Sequence, residues 1–247
     1  MVTNEAKSLL LNKMKMIQKA DQQDICLVGP VRLPVQLDDQ IVTFNWYTWL
    51  KVEREMSPVD VLDSLSQTTL AEMQQSSVLV YGEFDTEDEA LIRMHSICHT
   101  GDIFGSKRCD CGFQLRESMR MIVSNGCGAL FYLANHEGRG IGLFTKSLAY
   151  ILQEEGLDTV EANHALGFED DSRNYEDAIR VLTELRAKPV TLITNNPKKL
   201  AALQKHGLLS DTHIPLWGDV SDYNKNYLAT KVEKSGHIPS DEKIAIG

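Results

Sequence analysis

From Ser76 onward, the sequence alternates apolar, strand-like stretches with amphipathic, helix-like stretches. The predicted strands are rich in β-branched and aromatic residues and read SSVLVYGEF, ALIRMHS, CGALFYLAN and PVTLITN. The predicted helices read FQLRESMRMIVSNG, IGLFTKSLAYILQEEG, NYEDAIRVLTELRA, NPKKLAALQKHG and, near the carboxyl end, NKNYLATKVEKSGH. Nearly continuous apolar strands between helices indicate an α/β fold, with a mixed sheet covered by helices on both faces.

The part of the chain before Ser76 has a different pattern. Residues 1–20 combine apolar and basic residues at helical spacing, which predicts an amphipathic helix that packs on the rest of the protein. The stretches ICLVGPVRLPVQL and IVTFNWYTWL are predicted strands, and Pro30 and Pro34 should confine the first to an edge or a bulge. A second helix is predicted from Pro58 to about Gln74.

These patterns divide the chain into three parts. We predict an N-terminal α+β extension over residues 1–75 and an α/β domain over residues 76–240. Residues 241–247 should form a mobile tail.

Composition and charge restrict the classes of function. The chain has 247 residues, of which 43% are apolar, enough to bury a sizeable core. The net charge of -10 argues against a face that binds nucleic acid, although a local basic cluster can still hold a small anion. We expect no membrane span, because no apolar run reaches about 18 residues. The N-terminus lacks the uninterrupted apolar core of a signal peptide, so we expect a cytoplasmic protein.

The cysteines are unevenly distributed. Three of the five, Cys98, Cys109 and Cys111, lie close together in the stretch HSICHTGDIFGSKRCDCG. Clustered thiols in a cytoplasmic protein indicate a metal site or catalysis rather than disulfides. Cys26 and Cys127 lie in apolar strands and should be inert cysteines of the core.

The cysteine cluster has three possible interpretations. Three thiolates can occupy three corners of a tetrahedral zinc site and leave the fourth for water, as a catalytic zinc requires. Alternatively, the zinc is structural and His95 or His99 is its fourth ligand, or the three cysteines are unrelated buried residues. Lys107 and Arg108 precede Cys109 and could offset the charge of the thiolates.

Three further motifs are compatible with binding of an anion. The glycine-rich stretch 136–142 joins a predicted strand to a helix, where main-chain amides and Arg139 could hold a phosphate. The stretch 194–199 follows a strand at the edge where α/β proteins bind ligands, and its Lys199 could reach a phosphate. The stretch 170–175 places an arginine in the first turn of a helix, which suggests an anionic partner. Each motif alone is equally compatible with an ordinary connection or a capped helix.

Together, the motifs resemble the GTP cyclohydrolase II family in order and spacing over residues 76–237. The matching stretches are RMHSICHTGDIFGSKRCDCGFQL, EGRGIGLFTKSLAYILQEEGLDTVEANHALGF and LITNNPKKLAALQKHG. The resemblance implies a cytoplasmic homodimer that uses zinc and magnesium. It implies conversion of GTP to a diaminopyrimidinone ribosyl phosphate, with loss of formate and pyrophosphate, at the start of riboflavin synthesis. The α/β domain would then be the catalytic domain.

The resemblance also implies roles for individual residues. It makes Cys98, Cys109 and Cys111 the zinc ligands. Asp171 matches a proton acceptor, Arg173 an arginine that attacks the α-phosphate, and Tyr150 a tyrosine that aligns the water or base. The implied nucleotide contacts are Arg93, Met94, His95, Ser96, Ile97, Gln114, Glu137, Gly138, Arg139, Thr159, Thr194 and Lys199.

The sequence departs from the family pattern at two of its motif positions. Ile97 stands where the family usually has glutamate, and if that glutamate contacts the nucleotide or its metal, this chain has lost the contact. His136 stands where the family usually has glutamine; it could be neutral and without a special role, but a histidine is expected to titrate near working pH. These departures suggest a paralogue acting on another nucleotide or base, in specialised nucleoside or uracil metabolism. The motifs are also compatible with a non-catalytic nucleotide-binding regulator, or with a structural zinc module.

Overall fold

The computed structural model describes residues 2–20 and 22–239, and eight strands in them form one mixed sheet. The strands are β1 (Met14–Ile17), β2 (Asp24–Leu37), β3 (Gln40–Val52), β4 (Ser77–Tyr81), β5 (Leu91–Ser96), β6 (Gly128–Leu133), β7 (Val190–Ile193) and β8 (Leu209–Ile214). Their order is β1-β2-β3-β4-β6-β5-β7-β8. Strands β1 to β4 pair antiparallel in sequence order, and β4 also pairs antiparallel with β6. Strands β6, β5, β7 and β8 are parallel to their neighbours in that order.

The helices cover both faces of this sheet, as the sequence predicted. They are α1 (Asn4–Leu11), α2 (Pro58–Ser64), α3 (Cys111–Asn125), α4 (Leu143–Glu154), α5 (Thr159–Ala165), α6 (Glu176–Leu185), α7 (Pro197–Lys205) and α8 (Lys225–Glu233). None of the helices in the described part of the chain is long and apolar enough to cross a membrane.

Strand β6 shows how the two cores form. Ala129 and Phe131 belong to one core, together with Leu182 of α6. Leu130, whose side chain points to the opposite face of the strand, packs in a second core with Ile122 of α3. The sheet therefore buries apolar side chains on both faces, and the predicted fold class is confirmed.

The predicted helix over residues 1–20 is wrong in its second half. Helix α1 begins after Thr3, whose side chain accepts a hydrogen bond from the Ala6 amide, and it ends at Leu11. Residues 14–17 instead form β1 against β2, because pairing with β2 satisfies their main-chain groups while Met14 and Met16 pack on a small core.

The predicted helix from Pro58 to Gln74 is also too long. Helix α2 begins with a capping box in which the Ser57 side chain accepts from the Asp60 amide, and it ends at Ser64. The hydroxyl of Ser64 donates to the Val61 carbonyl and that of Thr68 donates to the Ser64 carbonyl. These side-chain bonds compete with the helical pattern, so only two short 3-10 turns follow, at 65–67 and 70–72.

The two prolines of β2 occupy the kinds of position that the sequence predicted, a bulge for Pro30 and an edge for Pro34. The register between β2 and β3 shifts between Val28 and Val31, so Pro30 lies in an irregularity of the ladder. Pro34 lies beyond the part of β2 that pairs with β1, so this stretch of the strand has β3 as its one neighbour in the sheet.

The extension and the α/β domain share the sheet. Strand β3 pairs with β4 from Asn45 to Thr48, which joins residues on the two sides of the predicted boundary at residue 75. That boundary stays a prediction. The predicted tail, 241–247, lies outside the described residues.

Arg186 supports the amino-terminal ends of β5 and β7, and its replacement should destabilise the fold. The side chain is 2% exposed. Its guanidinium donates to the main-chain carbonyls of Phe84, Glu87, Asp88, Lys188 and Pro189. Arg186→Met keeps the length but leaves these buried carbonyls without donors, so we expect the free energy of unfolding to fall by about 3 kcal/mol.

Urea denaturation measures this change, and Lys188→Met is the matched control. Lys188 lies in the same turn but is an exposed partner of Asp88, so its loss should change stability little. Equal stabilities of the two variants would contradict this role of Arg186.

Candidate functional site

The candidate site lies where three parallel strands end. Strands β5, β6 and β7 run in the same direction, so the residues that follow them meet at one edge of the sheet. Residues 97 and 98 follow β5, residues 134–140 follow β6 and residues 194–196 follow β7. The carboxyl edge of parallel strands is where α/β proteins bind ligands, as predicted for Thr194.

The loop after β5 brings the three clustered cysteines together. Cys98 follows the strand, Cys109 lies in the loop, and Cys111 is the first residue of α3. Their sulfur atoms all lie within 4.8 Å of one another, an arrangement that could hold a metal ion. A π-helical turn, His99–Ile103, folds the loop back, and its Gly101 packs directly against the sulfur atoms.

The two candidate histidines are engaged elsewhere. The Nε2 atom of His95 lies 3.1 Å from the carboxylate of Asp102, and the ring of His99 packs edge-on against Phe104 at 4.9 Å. Within the described residues, no histidine or carboxylate joins the three thiols as a fourth ligand. The geometry therefore favours a cation with an open coordination position over a closed structural site.

The three thiols oppose one another's ionisation. Hydrogen bonds from Cys109 and Cys111, and the nearby Lys146 ammonium, hold the pKa of Cys98 far below its usual range. A hydrogen bond with Cys111 acts to lower the pKa of Cys109. The Cys98 thiolate and burial outweigh it and raise this pKa to about 11. Cys109, Cys98 and burial likewise raise the pKa of Cys111. Ionisation of Cys98 therefore opposes ionisation of the other two thiols, and a bound positive ion would favour all three thiolates.

Lys146 is the cation closest to this cluster, and the sequence analysis missed it. Its ammonium donates to the Glu137 carboxylate at 2.7 Å and to the Cys98 sulfur at 3.2 Å. Glu137 also accepts from the main-chain amide of His99 at 2.7 Å, so it ties the loop to the turn after β6. Lys146 lies one turn before Tyr150 on α4, and this shared helix face was the signal that could have revealed it.

The two basic residues that the sequence suggested have other surroundings. Lys107 is exposed. The Arg108 guanidinium lies 4.2 Å from the centre of the Tyr150 ring and forms an ion pair with Glu154. Arg108 therefore supports Tyr150, while Lys146 contacts Cys98.

Two adjoining cavities open at this edge of the sheet. The thiol cavity, of about 670 Å³, contains the cysteine cluster and the turn after β6. The basic cavity, of about 590 Å³, is lined by five cationic side chains, those of Arg93, Arg139, Arg173, Lys199 and Lys231. The residues that line both cavities are Ser96, Cys111, Arg139, Arg173 and Tyr227.

The charge of the basic cavity is only partly balanced by the protein. Lys199 is 5% exposed, and its ammonium donates to the Met94 carbonyl at 2.6 Å, which is a neutral partner. Burial, together with Arg93 and Arg173, lowers the pKa of Lys199. An anionic ligand here would therefore stabilise the charged form of this lysine.

Most of the predicted site residues line these cavities. In the basic cavity are Arg93, His95, Ser96, Gln114, Arg139, Arg173, Thr194 and Lys199. In the thiol cavity are Ile97, Glu137, Gly138, Tyr150 and Thr159, besides Cys98, Cys109 and Cys111. Met94 does not line either one, because its side chain is buried in the core and only its carbonyl meets Lys199.

Asp171 also lies behind the cavity wall. Its carboxylate binds the Arg173 guanidinium at 2.7 Å through both oxygens. Burial alone would raise the pKa of Asp171, but this pairing lowers it to about 2. Asp171 is therefore ionised and orients Arg173, and its role as proton acceptor stays a prediction.

The expectation that His136 titrates near working pH is wrong. The ring is 2% exposed and lies between the Ser96 hydroxyl, 3.2 Å from Nδ1, and the Asn174 carbonyl, 2.9 Å from Nε2. Burial lowers the pKa of His136 to about 4. The histidine stays neutral at working pH and holds Ser96, which also accepts from Arg173.

The comparison with protein families agrees with this site. Residues 60–214 match the family model of GTP cyclohydrolase II. The chain belongs to the GTP cyclohydrolase II family. It is 50% identical over 152 residues to the riboflavin biosynthesis protein RibBA of Bacillus subtilis (strain 168), covering 62% of this chain and 38% of that protein. It is 47% identical over 205 residues to RibBA of Bacillus mycoides (strain KBAB4), covering 81% of this chain and 51% of that protein. The chain thus spans about half the length, or less, of these curated relatives.

Four residues of the basic cavity lie beyond the segment that matches the family model. They are Trp217, Tyr227, Lys231 and His237. Lys231 forms an ion pair at 2.9 Å with Asp110, which lies between two of the clustered cysteines. The sequence analysis did not find these residues, because α8 and the segments on either side of it reach the site only through long-range packing.

Substitution of Gly101 should weaken cation binding at the thiols. A Cβ atom on Gly101 would lie 2.8 Å from the Cys109 sulfur and 3.1 Å from the Cys98 sulfur, so the cluster would have to widen. We expect Gly101→Ala to lower zinc affinity by about 10-fold or more. A chelator competition titration measures this affinity. Gly105→Asn is the control, because nothing lies within 4 Å of that position and asparagine tolerates its positive φ.

Replacement of His136 should reduce the loss of stability in acid. Because its folded pKa, about 4, lies below the ordinary histidine value of 6.5, the unfolded chain binds the proton more readily. The stability that neutral His136 contributes is complete above pH 6.5, falls as the pH drops toward 4 and is lost below it.

Between pH 7.5 and 4, the free energy of unfolding should therefore fall less in the neutral His136→Gln variant than in the wild type. The difference should be on the order of 3 kcal/mol. Urea unfolding at a series of pH values tests this expectation. Parallel stability curves for the two proteins would contradict it.

Proposed function

We propose that this chain hydrolyses GTP, opening the imidazole ring of guanine and releasing formate and pyrophosphate. The product would be a diaminopyrimidinone ribosyl phosphate, the first intermediate of riboflavin synthesis. The observation that supports this proposal most strongly is the pair of adjoining cavities, one with three thiols and one with five cations. A nucleotide that spans them would place its base at the thiols and its phosphates among the cations.

Zinc suits the thiol cluster. Among the divalent ions of the cell, zinc is one that thiolates bind well, whereas magnesium and calcium prefer oxygen ligands. Three protein ligands leave the fourth position of zinc for water. When bound, zinc would lower the pKa of that water toward about 7 and so supply a nucleophile for the ring carbon at neutral pH. The protein prepares the site through Lys146, which holds Cys98 as a thiolate, and through Gly101, which leaves room for close approach of the sulfur atoms.

Tyr150 is suited to orient groups at the ring. Burial raises the pKa of its hydroxyl, so the phenol remains a proton donor. The hydroxyl lies 3.5 Å from the Thr100 hydroxyl, in the turn that carries the thiol loop. We infer that Tyr150 aligns the water or the base, and that Asp171 accepts a proton once Arg173 engages the α-phosphate.

The cations of the basic cavity would bind the triphosphate. Arg93 and Lys199 lie on neighbouring strand and helix elements, whereas Arg139 and Arg173 reach the cavity from the two connections that border it. Their fixed charges suit the negative charge that develops as pyrophosphate leaves. Magnesium commonly binds through substrate phosphates, so we place it with the triphosphate rather than in a site made of protein ligands alone.

A changed substrate is the second candidate, and Ile97 favours it. Its apolar side chain lines the thiol cavity in place of the family's glutamate. The chain could therefore open the ring of another purine nucleotide.

We also propose a homodimer, because α4 exposes Leu143, Phe144 and Ile151. The cytoplasmic location stays a prediction.

Incubation of the protein with GTP, zinc and magnesium tests the proposed activity. Formate and pyrophosphate should appear in equal amounts, together with the absorbance of a pyrimidine product. Elemental analysis should find about one zinc per chain. Cys109→Ser should lose the metal and lower turnover by about 100-fold or more.

Cys127→Ala is the matched control, because Cys127 is a buried cysteine of the core, outside the cluster. It should keep both zinc and turnover. A zinc-loaded wild type that binds GTP without producing formate would indicate a regulator, and turnover of a different nucleotide would indicate the paralogue. A closed coordination sphere would indicate a structural zinc module.

A further inference from the structure

Tyr227 occupies the place where the two cavities meet. Of the five residues that line both, Ser96, Cys111, Arg139 and Arg173 already have roles in the proposed site. Tyr227 is the fifth, and it lies outside residues 60–214, the segment that matches the family model. The position alone makes it a candidate for contact with any ligand that spans both cavities.

Helix α8 holds Tyr227 firmly in this position. Leu228 is 1% exposed, so the helix is anchored by the next residue in the chain. One turn later, the Lys231 ammonium lies 4.4 Å from the centre of the Tyr227 ring and also binds Asp110 at 2.9 Å. Because Asp110 lies between Cys109 and Cys111, the ring is fixed relative to the thiol loop.

The chemistry around Tyr227 selects the kind of group that its hydroxyl can bind. A phenol is protonated at neutral pH and donates one hydrogen bond. Within the described residues, the Tyr227 hydroxyl has no hydrogen-bond partner, and guanidinium groups of Arg139 and Arg173 share the junction with it. Asp170 pairs with Arg139 and Asp171 pairs with Arg173, but the Nη2 atom of Arg139 is buried without a partner among the described residues. Donors at this junction suit an anionic oxygen rather than another donor.

We propose that Tyr227 donates a hydrogen bond to the phosphate nearest the nucleoside, the α-phosphate of GTP. This inference rests on the proposed function, in which the base lies at the thiols and the phosphates lie in the basic cavity. The ribose links the base to the α-phosphate, so the ribose and this phosphate are the parts of the nucleotide that would lie nearest the junction. Tyr227 would then hold the phosphate at which pyrophosphate is released, and its donor would favour the charge that develops there.

Replacement of the hydroxyl isolates this contact. Tyr227→Phe keeps the ring and its contact with Lys231, and removes one oxygen. Tyr223→Phe is the matched control, because Tyr223 lies one turn earlier and is 76% exposed. Thermal unfolding of both variants should match the wild type, which shows that any change in binding does not come from loss of the fold.

Binding is measured on zinc-loaded protein with two probes, α,β-methylene GTP and guanosine. The first has phosphates that cannot be cleaved at the α-position, and the second has none. We expect Tyr227→Phe to weaken binding of the GTP analogue by about 10-fold or more, because a hydrogen bond to a charged group is lost. Guanosine binding should not change. Pyrophosphate release from GTP should slow by about 10- to 100-fold, and Tyr223→Phe should match the wild type throughout.

Two results would overturn the role of Tyr227 while leaving the proposed function in place. One is wild-type binding and turnover in Tyr227→Phe. The other is an equal loss of affinity for the GTP analogue and guanosine, which would place the hydroxyl at the base or ribose. A wild-type protein that binds neither probe would instead overturn the proposed function, and this inference with it.

Discussion

The contact of Lys146 with both Glu137 and Cys98 is the interaction on which the site depends. The side chains of Lys146 and Glu137 are 10% and 4% exposed, so both charges have lost most of their hydration. Such a pair is stabilising only when its remaining hydrogen-bonding capacity is used. Here Glu137 also accepts from the His99 amide and Lys146 also reaches the Cys98 sulfur. One buried pair thereby joins the loop after β5, the turn after β6 and helix α4, and it keeps a thiolate in place.

The same edge of the sheet owes its position to the antiparallel strands. Strand β6 pairs with β4 on one side and with β5 on the other, so the change from antiparallel to parallel occurs at the strand that precedes Glu137. Trp49 of β3 packs against Phe131 of β6 with ring centres 6.4 Å apart. Residues of the N-terminal extension therefore support the strand on which the site is built, although they line neither cavity.

The sequence predicted the features that depend on local spacing, and it missed those that depend on long-range packing. The cysteine cluster and the turns after the parallel strands were found because each is a short motif, and the mixed sheet followed from alternating apolar strands. Strand β1 was assigned to a helix because four residues cannot reveal whether a neighbouring strand pairs with them. Lys231 was missed because its partner, Asp110, is 121 residues earlier in the chain. The pKa of His136 depends on burial, which the sequence does not specify.

Under the proposed function, the two cavities would offer different surroundings to the two ends of a nucleotide. The thiol cavity is lined by three cysteines and Glu137, and two of its cations have carboxylate partners, Lys146 with Glu137 and Arg108 with Glu154. The basic cavity carries cations whose partners include the neutral carbonyl of Met94, so it favours phosphate even though the whole chain has a net charge of -10. In the proposed orientation a phosphate would give Lys199 a counter-charge, which a nucleotide placed the other way would not. This difference in how the cations are compensated would favour the proposed orientation of the nucleotide.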